Sequence, residues 1–204
     1  MENQFLCFRE APNFVKLGDV NLNIREGVVA TQRFRIDKII IHPNYNADLN
    51  YHDIALIKLS KPAVFTIYVH PIRMWPQRDI PYTMAFAMGY GATTFGRIPT
   101  GVLSFLNFTL IGNKECNESL AHIEETPYGI VDSQICAINT QTSADICQGD
   151  SGGPLQLHLP GLERPNYFLI GVTSFGLICG SRSPSVYTRV HSYLEWIEDT
   201  IWPD

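Results

Sequence analysis

The hydrophobic positions along the chain come in short runs that mostly alternate with polar residues, and Gly, Pro and Asn separate the runs. Such alternation is typical of half-buried β-strands, because successive side chains of a strand point to opposite faces. The pattern therefore predicts an all-β protein with many short strands. The predicted strands are Asn13–Leu17, Gln32–Ile41, Ile54–Leu59, Thr83–Tyr90, Leu103–Ile111, Gln134–Ala137, Pro154–His158, Tyr167–Ser174 and Ser185–Arg189.

Helical periodicity is confined to two places. Near the C-terminus, Ser192 is followed three residues later by Glu195, which is the pattern of a capping box. It predicts an amphipathic helix that begins near Ser192 and packs its apolar face on the body of the protein. A shorter helical turn is predicted over Asn113–Leu120. The apolar residues with helical spacing at the C-terminus are Val190, Tyr193, Leu194, Ile197 and Ile201.

One proline-rich segment divides the chain. Ile72–Tyr82 contains Pro76 and Pro81 and follows Pro71. Proline has no backbone N–H and cannot donate to a strand ladder, so we expect this segment to connect two lobes without regular pairing.

Composition and charge narrow the class of protein. The 204 residues are 45% hydrophobic and 17% charged, which indicates a folded chain rather than a disordered one. A net charge of −5 without a Lys/Arg-rich run argues against nucleic acid or an anionic membrane surface as a partner. No apolar run approaches the length of a membrane span. Glu2 stands where a secretory leader carries positive charge, and no apolar stretch follows it, so no signal peptide is visible in this chain.

The strongest chemical signal is the segment Gly149-Asp150-Ser151-Gly152-Gly153. Glycines on both sides of a serine allow a sharp turn that exposes the hydroxyl and aims backbone N–H groups at one point, as an acyl-transfer nucleophile requires. A flexible turn without chemistry is the alternative. The nucleophile elbow of the α/β-hydrolases also fits Gly-x-Ser-x-Gly, but that elbow leads into a helix, whereas Leu155–His158 alternates like a strand.

Several motifs stand in the chain together with this segment: Asp53-Ile54-Ala55-Leu56, Gly89-Tyr90-Gly91, Ile135-Cys136-Ala137, Ser174-Phe175-Gly176 with Cys179, and Val186-Tyr187-Thr188-Arg189-Val190. With them the sequence resembles the trypsin/chymotrypsin family of serine endopeptidases in an N-terminally truncated form. The resemblance extends from about Cys7 to the terminal helix and implies two antiparallel six-stranded β-barrels, the first incomplete, followed by a C-terminal α-helix. Within one protease domain over 1–204, it implies a partial N-terminal barrel over 1–75, a second barrel with its linker over 76–189, and the helix over 190–204.

The resemblance assigns catalytic roles to three residues. Ser151 matches the nucleophile, and the N–H groups of Gly149 and Ser151 match the oxyanion hole. Asp53 matches the carboxylate that orients the catalytic histidine, and it precedes the serine in the chain, as this family requires.

It also assigns a substrate pocket. Asp145 matches the carboxylate at the base of the specificity pocket in trypsin-like members, where it pairs with an Arg or Lys side chain of the substrate. Ser174, Phe175 and Gly176 match the wall along which the substrate backbone lies. Ser185 stands where trypsin-like members usually carry glycine, so we expect a narrowed pocket.

The general-base histidine of the family has no counterpart. Cys7 matches the cysteine that follows that histidine, but Leu6 precedes it. His52 adjoins Asp53, and strand alternation is expected to turn it to the opposite face. His42 is expected to decorate a loop before Pro43. No Arg-Ile-Val-Gly-Gly-like activation site is present either, and in the family the new N-terminus pairs with the acid that Asp150 matches.

The remaining expectations concern cysteines, calcium and glycosylation. By family pattern Cys116 pairs with Cys136 and Cys147 with Cys179, which leaves Cys7 free. Asp19, Asn21 and Glu26 resemble the calcium loop of some members, but the final acidic ligand has no counterpart, so a solvated acidic loop without a cofactor is expected. Two acceptor sequons are present: Asn117-Glu118-Ser119, expected in a surface turn, and Asn107-Phe108-Thr109, expected to be used less because it lies in a strand.

The resemblance thus implies an extracellular serine endopeptidase that cleaves after Arg or Lys, with protein or peptide substrates and protease inhibitors as partners. The chain itself is expected to be inactive as written. One alternative is a non-catalytic protease homologue that acts as a binding or regulatory module. Another is an incomplete coding sequence whose product does not fold.

Overall fold

A computed structural model describes residues 11–24, 31–92, 101–120, 123–139, 149–159, 166–177 and 183–203. The described residues form ten strands and two α-helices. The strands are β1 (Phe14–Leu17), β2 (Gln32–Ile41), β3 (Ala55–Leu59), β4 (Arg73–Met74), β5 (Met84–Gly89), β6 (Ser104–Ile111), β7 (Gln134–Ile138), β8 (Pro154–Leu159), β9 (Asn166–Gly176) and β10 (Ser185–Arg189). The helices are α1 (Asn113–Ser119) and α2 (Leu194–Ile201), the latter preceded by a 3₁₀ turn over Val190–Tyr193.

The second half of the chain closes into a six-stranded barrel. Its strands follow the order β10-β7-β6-β5-β8-β9, and β9 pairs back with β10 to complete the ring. Alternate side chains point inward, and Phe108, Leu155 and Tyr187 are fully buried there. Each such side chain contributes about 1.5–3 kcal/mol by leaving water. The predicted alternation is therefore the pattern of a filled barrel interior.

The first half forms an open three-stranded antiparallel sheet in the order β1-β2-β3. Apolar side chains of this sheet, such as Phe14, Ile41 and Ile57, are about half exposed, and Phe65 in the segment after β3 is 65% exposed. The described part of the first sheet is thus an incomplete barrel beside a complete one, as the predicted fold class requires.

The C-terminal helix joins the two halves: a 3₁₀ turn begins at Val190, the bound that the resemblance implies, and α2 continues from Leu194. Val190 and Tyr193 in the 3₁₀ turn pack with Ile197 of α2 against Ile54, just before β3. No side-chain hydrogen bond caps either helical segment, so the predicted capping box at Ser192 is wrong. Burial of Val190 starts the helical turn two residues before Ser192, because tertiary packing outweighs a local cap.

The proline-rich connection holds one short strand that its composition does not predict. Arg73 and Met74 pair in parallel with Phe168 and Leu169 of β9. The expectation of no regular pairing in Ile72–Tyr82 is therefore wrong at these two residues, since the prolines of the segment flank the strand without interrupting it.

The helix α1 confirms the predicted helical turn over Asn113–Leu120. It also places Asn117 in a helix rather than in the expected surface turn. No helix in the described ranges is long and apolar enough to cross a membrane.

Candidate active site

Ser151 lies in a tight turn immediately before β8. The N–H of Gly153 donates to the carbonyl of Asp150 at 2.8 Å and closes the turn, and the Ser151 side chain is exposed. Gly149 has φ 100° and Gly152 has φ 80°, values that residues with a Cβ rarely adopt. The glycines around the serine are therefore required by the backbone that presents its hydroxyl.

Strand β9 fixes the position of this turn. The N–H of Gly152 donates to the carbonyl of Thr173 at 2.9 Å, and the N–H of Thr173 donates to the carbonyl of Gly153 at 2.8 Å. The buried Thr173 hydroxyl donates to the same Gly153 carbonyl at 3.1 Å. Sequence reasoning did not assign Thr173 a role, because these contacts join residues about 20 positions apart and leave no local signal.

The carboxylate of Asp150 packs against the Gly89-Tyr90-Gly91 motif. The N–H of Gly91 donates to Asp150 Oδ1 at 2.8 Å. A Cβ at either Gly89 or Gly91 would overlap this carboxylate. The motif therefore needs glycine at its first and third positions, because the Asp150 side chain lies directly on its backbone. The same contact fixes the position of Asp150, the residue before Ser151.

Asp53 is held by the barrel through two hydroxyl groups. Ser174 Oγ donates to Asp53 Oδ2 at 2.7 Å, and Thr188 Oγ1 donates to the backbone carbonyl of Asp53 at 2.7 Å. Ser174 directly follows Thr173, which binds the Ser151 turn. Neighbouring residues of β9 therefore hold the Asp53 carboxylate and the Ser151 turn at one end of the barrel. Thr188 is a second positioning residue, and its motif was visible in the sequence although its contact was not.

The two histidines that precede Asp53 form a separate aromatic cluster. The His52 ring stacks on His42 with 5.1 Å between centroids, and His52 Nδ1 lies 3.1 Å from the Tyr193 hydroxyl. His52 turns away from Asp53 as expected, but through a left-handed backbone with φ 54° rather than through strand alternation. His42 lies in the loop directly after β2, as expected, but its ring is half-buried and also contacts Trp196.

Burial sets the protonation of this cluster. It raises the pKa of the Tyr193 hydroxyl, and the nearby Asp53 charge raises it further. Burial also lowers the pKa of His42, with a smaller contribution from His52. Both shifts favour the uncharged rings. Among the described histidines, none hydrogen-bonds to Asp53 or Ser151.

The structure brings four of the predicted substrate-binding residues together. Ser174, Phe175 and Gly176 end β9, and Ser185 begins β10 directly opposite Gly176. Ser185 is only 3% exposed, and its Oγ lies 3.5 Å from the position that a Cβ on Gly176 would occupy. The two strands therefore form one continuous wall. Asp145, the proposed base of the pocket, lies outside the described residues.

Of the cysteine pairs implied by the resemblance, one is described. A disulfide joins Cys116 in α1 to Cys136 in β7. Cys7, Cys147 and Cys179 lie outside the described residues.

The acidic loop after β1 is held by contacts within the protein. The Asp19 carboxylate pairs with the Lys16 ammonium and accepts a hydrogen bond from the Asn21 N–H at 2.9 Å. These contacts lower the pKa of Asp19. Glu26, the third candidate calcium ligand, lies outside the described residues.

Comparisons with known proteins agree with this geometry. The trypsin family model matches residues 7–197. Serine protease snk of Drosophila melanogaster is 36% identical over 188 residues, which are 92% of this chain and 42% of the relative. Serine protease Hayan of the same species is 33% identical over 94% of this chain and 31% of the relative. Trypsin-1 of Astacus astacus is 34% identical over 89% of this chain and 72% of the relative.

A solved structure shares the fold. Neuropsin, described as a serine protease expressed in the limbic system of mouse brain, superposes with a TM-score of 0.76 and 28% identity over 92% of this chain and 78% of that chain. The chain spans less than half the length of each of the two Drosophila relatives. The family match, the closed barrel and the Ser151 turn on β9 lead to one conclusion: this chain belongs to the trypsin family of serine proteases.

Proposed function

We propose that this chain carries the nucleophile and substrate-binding part of a trypsin-like serine endopeptidase that hydrolyses peptide bonds after arginine or lysine, and that it does not turn substrate over as written. One observation supports it above the others: Thr173 and Ser174, adjacent on β9, hold the Ser151 turn and the Asp53 carboxylate. These are the two groups that a Ser-His-Asp site must bring together.

Each residue has a role in this proposal. The Ser151 hydroxyl attacks the substrate carbonyl, and the N–H groups of Gly149 and Ser151 donate to the oxygen that becomes negative. Asp53 accepts a hydrogen bond from the histidine that takes the serine proton. Asp145 pairs with the substrate guanidinium or ammonium, and Ser185 narrows the entrance to that pocket.

The proposed absence of turnover follows from the lack of a general-base histidine at the site. Leu6 stands before Cys7 where the family has its histidine. None of the described histidines hydrogen-bonds to Asp53 or Ser151, and His52 and His42 belong to the cluster around Tyr193. Removing the histidine costs about 10⁶-fold in turnover in a well-measured serine protease, because the hydroxyl alone is a poor nucleophile.

A non-catalytic binding module is the second candidate. It is favoured by the Ser174–Asp53 hydrogen bond at 2.7 Å, which holds one carboxylate oxygen without a histidine and ties the substrate-binding strand to Asp53. In either case we propose an extracellular location, since the disulfide between Cys116 and Cys136 is typical of an oxidising compartment.

Two measurements on the purified chain test these proposals. Hydrolysis of an arginine p-nitroanilide is expected to equal that of Ser151→Ala; turnover that Ser151→Ala abolishes would refute the proposed inactivity.

Benzamidine, a small aryl amidine, is expected to raise the melting temperature, and Asp145→Asn is expected to abolish that rise. The matched control Asp37→Asn removes an exposed carboxylate that pairs with Lys58 on the first sheet, and it is expected to leave the rise intact. If benzamidine has no effect on the native chain, the proposed Arg/Lys pocket is wrong.

A further inference from the structure

The outer face of strands β5 and β6 is an exposed apolar surface with one asparagine at its centre. Antiparallel pairing places Met88 opposite Phe105 and Phe86 opposite Asn107. Phe105 is 67% exposed, and the Asn107 side chain is also exposed. Phe108, the next residue along the strand, points into the barrel and has no exposed area. Asn107 therefore faces solvent beside aromatic rings.

The aromatic surface continues across the next strands. The Phe86 ring meets Tyr167 of β9 edge to face at 5.6 Å, and Tyr167 stacks with His158 of β8 at 5.0 Å. Tyr167 is 41% exposed. Asn107 thus projects from a sheet face whose aromatic groups extend over several strands and are open to water.

Asn107-Phe108-Thr109 is an acceptor sequon, and we propose that Asn107 carries an N-linked glycan whose first sugar packs on Phe105. Residues two apart on a strand lie on the same face about 7 Å apart. A hexose ring spans that distance, and its apolar C–H face can cover an exposed phenyl ring. The glycan would therefore shield apolar surface that is otherwise in contact with water.

The attachment is a group transfer from a lipid-linked oligosaccharide. Asn107 Nδ2 forms a bond to C1 of the terminal N-acetylglucosamine, and the C1–O bond to the lipid diphosphate breaks with its electron pair on that oxygen. The amide loses one proton, which balances the charge that the leaving diphosphate gains. The exposed Asn107 amide retains its other hydrogen in the folded product.

Asn117, the other sequon asparagine, is used by the fold itself. Its Nδ2 donates to the carbonyls of Asn113 at 2.9 Å and Ile130 at 3.3 Å, and its Oδ1 accepts from the Ile130 N–H at 2.7 Å. Both amide hydrogens are therefore engaged, and a sugar on Nδ2 would replace one of them. The space around Oδ1 is also closed, because a Cβ on Gly129 would overlap it. The structure thus favours Asn107 over Asn117, the reverse of the order expected from sequence.

This inference rests on the proposed extracellular location but not on catalysis, so its test uses no activity. The full chain is expressed behind a cleavable secretion leader in mammalian cells, and the soluble disulfide-bonded protein is collected from medium and from microsomes. Peptide N-glycosidase in heavy-oxygen water converts each formerly glycosylated asparagine to a labelled aspartate, which mass spectrometry locates. Label is expected at Asn107 and not at Asn117, both in protein from the medium and in protein from the microsomes. An unlabelled Asn107, or a labelled Asn117, would overturn the assignment.

Variants separate attachment from packing. Asn107→Gln is expected to remove the mobility shift that deglycosylation produces, whereas Asn117→Gln is expected to leave it. Native deglycosylation is expected to lower the melting temperature of the wild-type chain but not of Phe105→Ala. The matched control Phe65→Ala removes a ring of similar exposure, 65%, in the segment after β3, and it is expected to respond like wild type. Equal responses of Phe105→Ala and wild type would refute the packing on Phe105.

Discussion

Gly153→Ala is expected to disrupt the Ser151 turn and to destabilise the whole chain. A Cβ at Gly153 would lie 2.7 Å from the Asp150 carbonyl oxygen and 2.8 Å from the Met88 carbonyl oxygen. Both contacts are with backbone atoms, which cannot rotate away as a side chain can. The Asp150 carbonyl is also held by the Gly153 N–H at 2.8 Å, and the Gly153 carbonyl by Thr173. The chain must therefore shift against its own hydrogen bonds.

The magnitude follows from these contacts. Forcing one extra carbon into a filled site costs about 1–3 kcal/mol, and weakening one of the turn's hydrogen bonds adds about 1 kcal/mol. Together they predict a loss of about 2–4 kcal/mol, which for a chain of this size lowers the melting temperature by roughly 5–15 °C. Urea unfolding followed by tryptophan fluorescence, with circular dichroism melts, measures both quantities.

The matched control is Gly112→Ala. A Cβ at Gly112 has no atom within 4 Å, and its φ of −70° suits any residue. Gly112 is the N-cap of α1, so the small cap penalty of alanine offsets its entropic gain, and a change under about 1 kcal/mol is expected. If Gly153→Ala proves as stable as Gly112→Ala, the turn is not packed as described and the argument for its rigid position on β9 fails.

Three further predictions test the contacts around the site. Ser174→Ala removes the donor to Asp53 Oδ2, and the unpaired half-buried carboxylate is expected to cost about 1–3 kcal/mol in urea unfolding. His42→Gln is expected to flatten the pH dependence of stability: the pKa of His42 is lowered on folding, so the unfolded chain binds more protons, and the wild type loses stability as pH falls below about 6.5. Replacing Cys116 and Cys136 together by alanine opens a loop with a sequence separation of 20 and is expected to cost about 3 kcal/mol, read as a lower urea midpoint.

Controls for these three changes are available in the same chain. Ser104→Ala removes an exposed hydroxyl that donates only a 3.3 Å hydrogen bond to the nearby Val102 carbonyl, and it should change stability little. If Ser174→Ala changes stability as little as Ser104→Ala, the Ser174 hydroxyl does not support Asp53 as described. His158→Gln changes an exposed histidine of the barrel, and a flattened profile in this control would count against His42 as the source. Reductant should lower the urea midpoint of wild type more than that of the double cysteine variant, because the variant no longer has the Cys116–Cys136 bond to lose.

Much of the strand pattern could be predicted from sequence because it depends on near neighbours. The bounds of β2 and β10 are those predicted, Gln32–Ile41 and Ser185–Arg189, since alternation and flanking turn residues are read locally. The glycines around Ser151 likewise indicated a sharp turn, because positive φ is a local requirement that the residue type records.

Other features depend on residues distant in sequence and could be determined only from the tertiary structure. The two-residue strand β4 exists because β9 lies beside it, and the helical turn begins at Val190 because that side chain is buried against Ile54. A capping motif stabilises a helix by about 1 kcal/mol, less than burial of one large apolar side chain, so local signals lose to packing at such places.

The candidate site divides in the same way. By itself the sequence determined the family and predicted Ser151 as the nucleophile between its glycines, because these are short motifs with local conformational needs. Only the tertiary structure showed that Thr173 and Ser174 hold the Ser151 turn and Asp53 together, and that His42 and His52 belong to an aromatic cluster instead. The physical reason is that a hydrogen bond or a ring contact requires two groups in register, and residues from about 20 to more than a hundred positions apart acquire a register only when the sheets pack together.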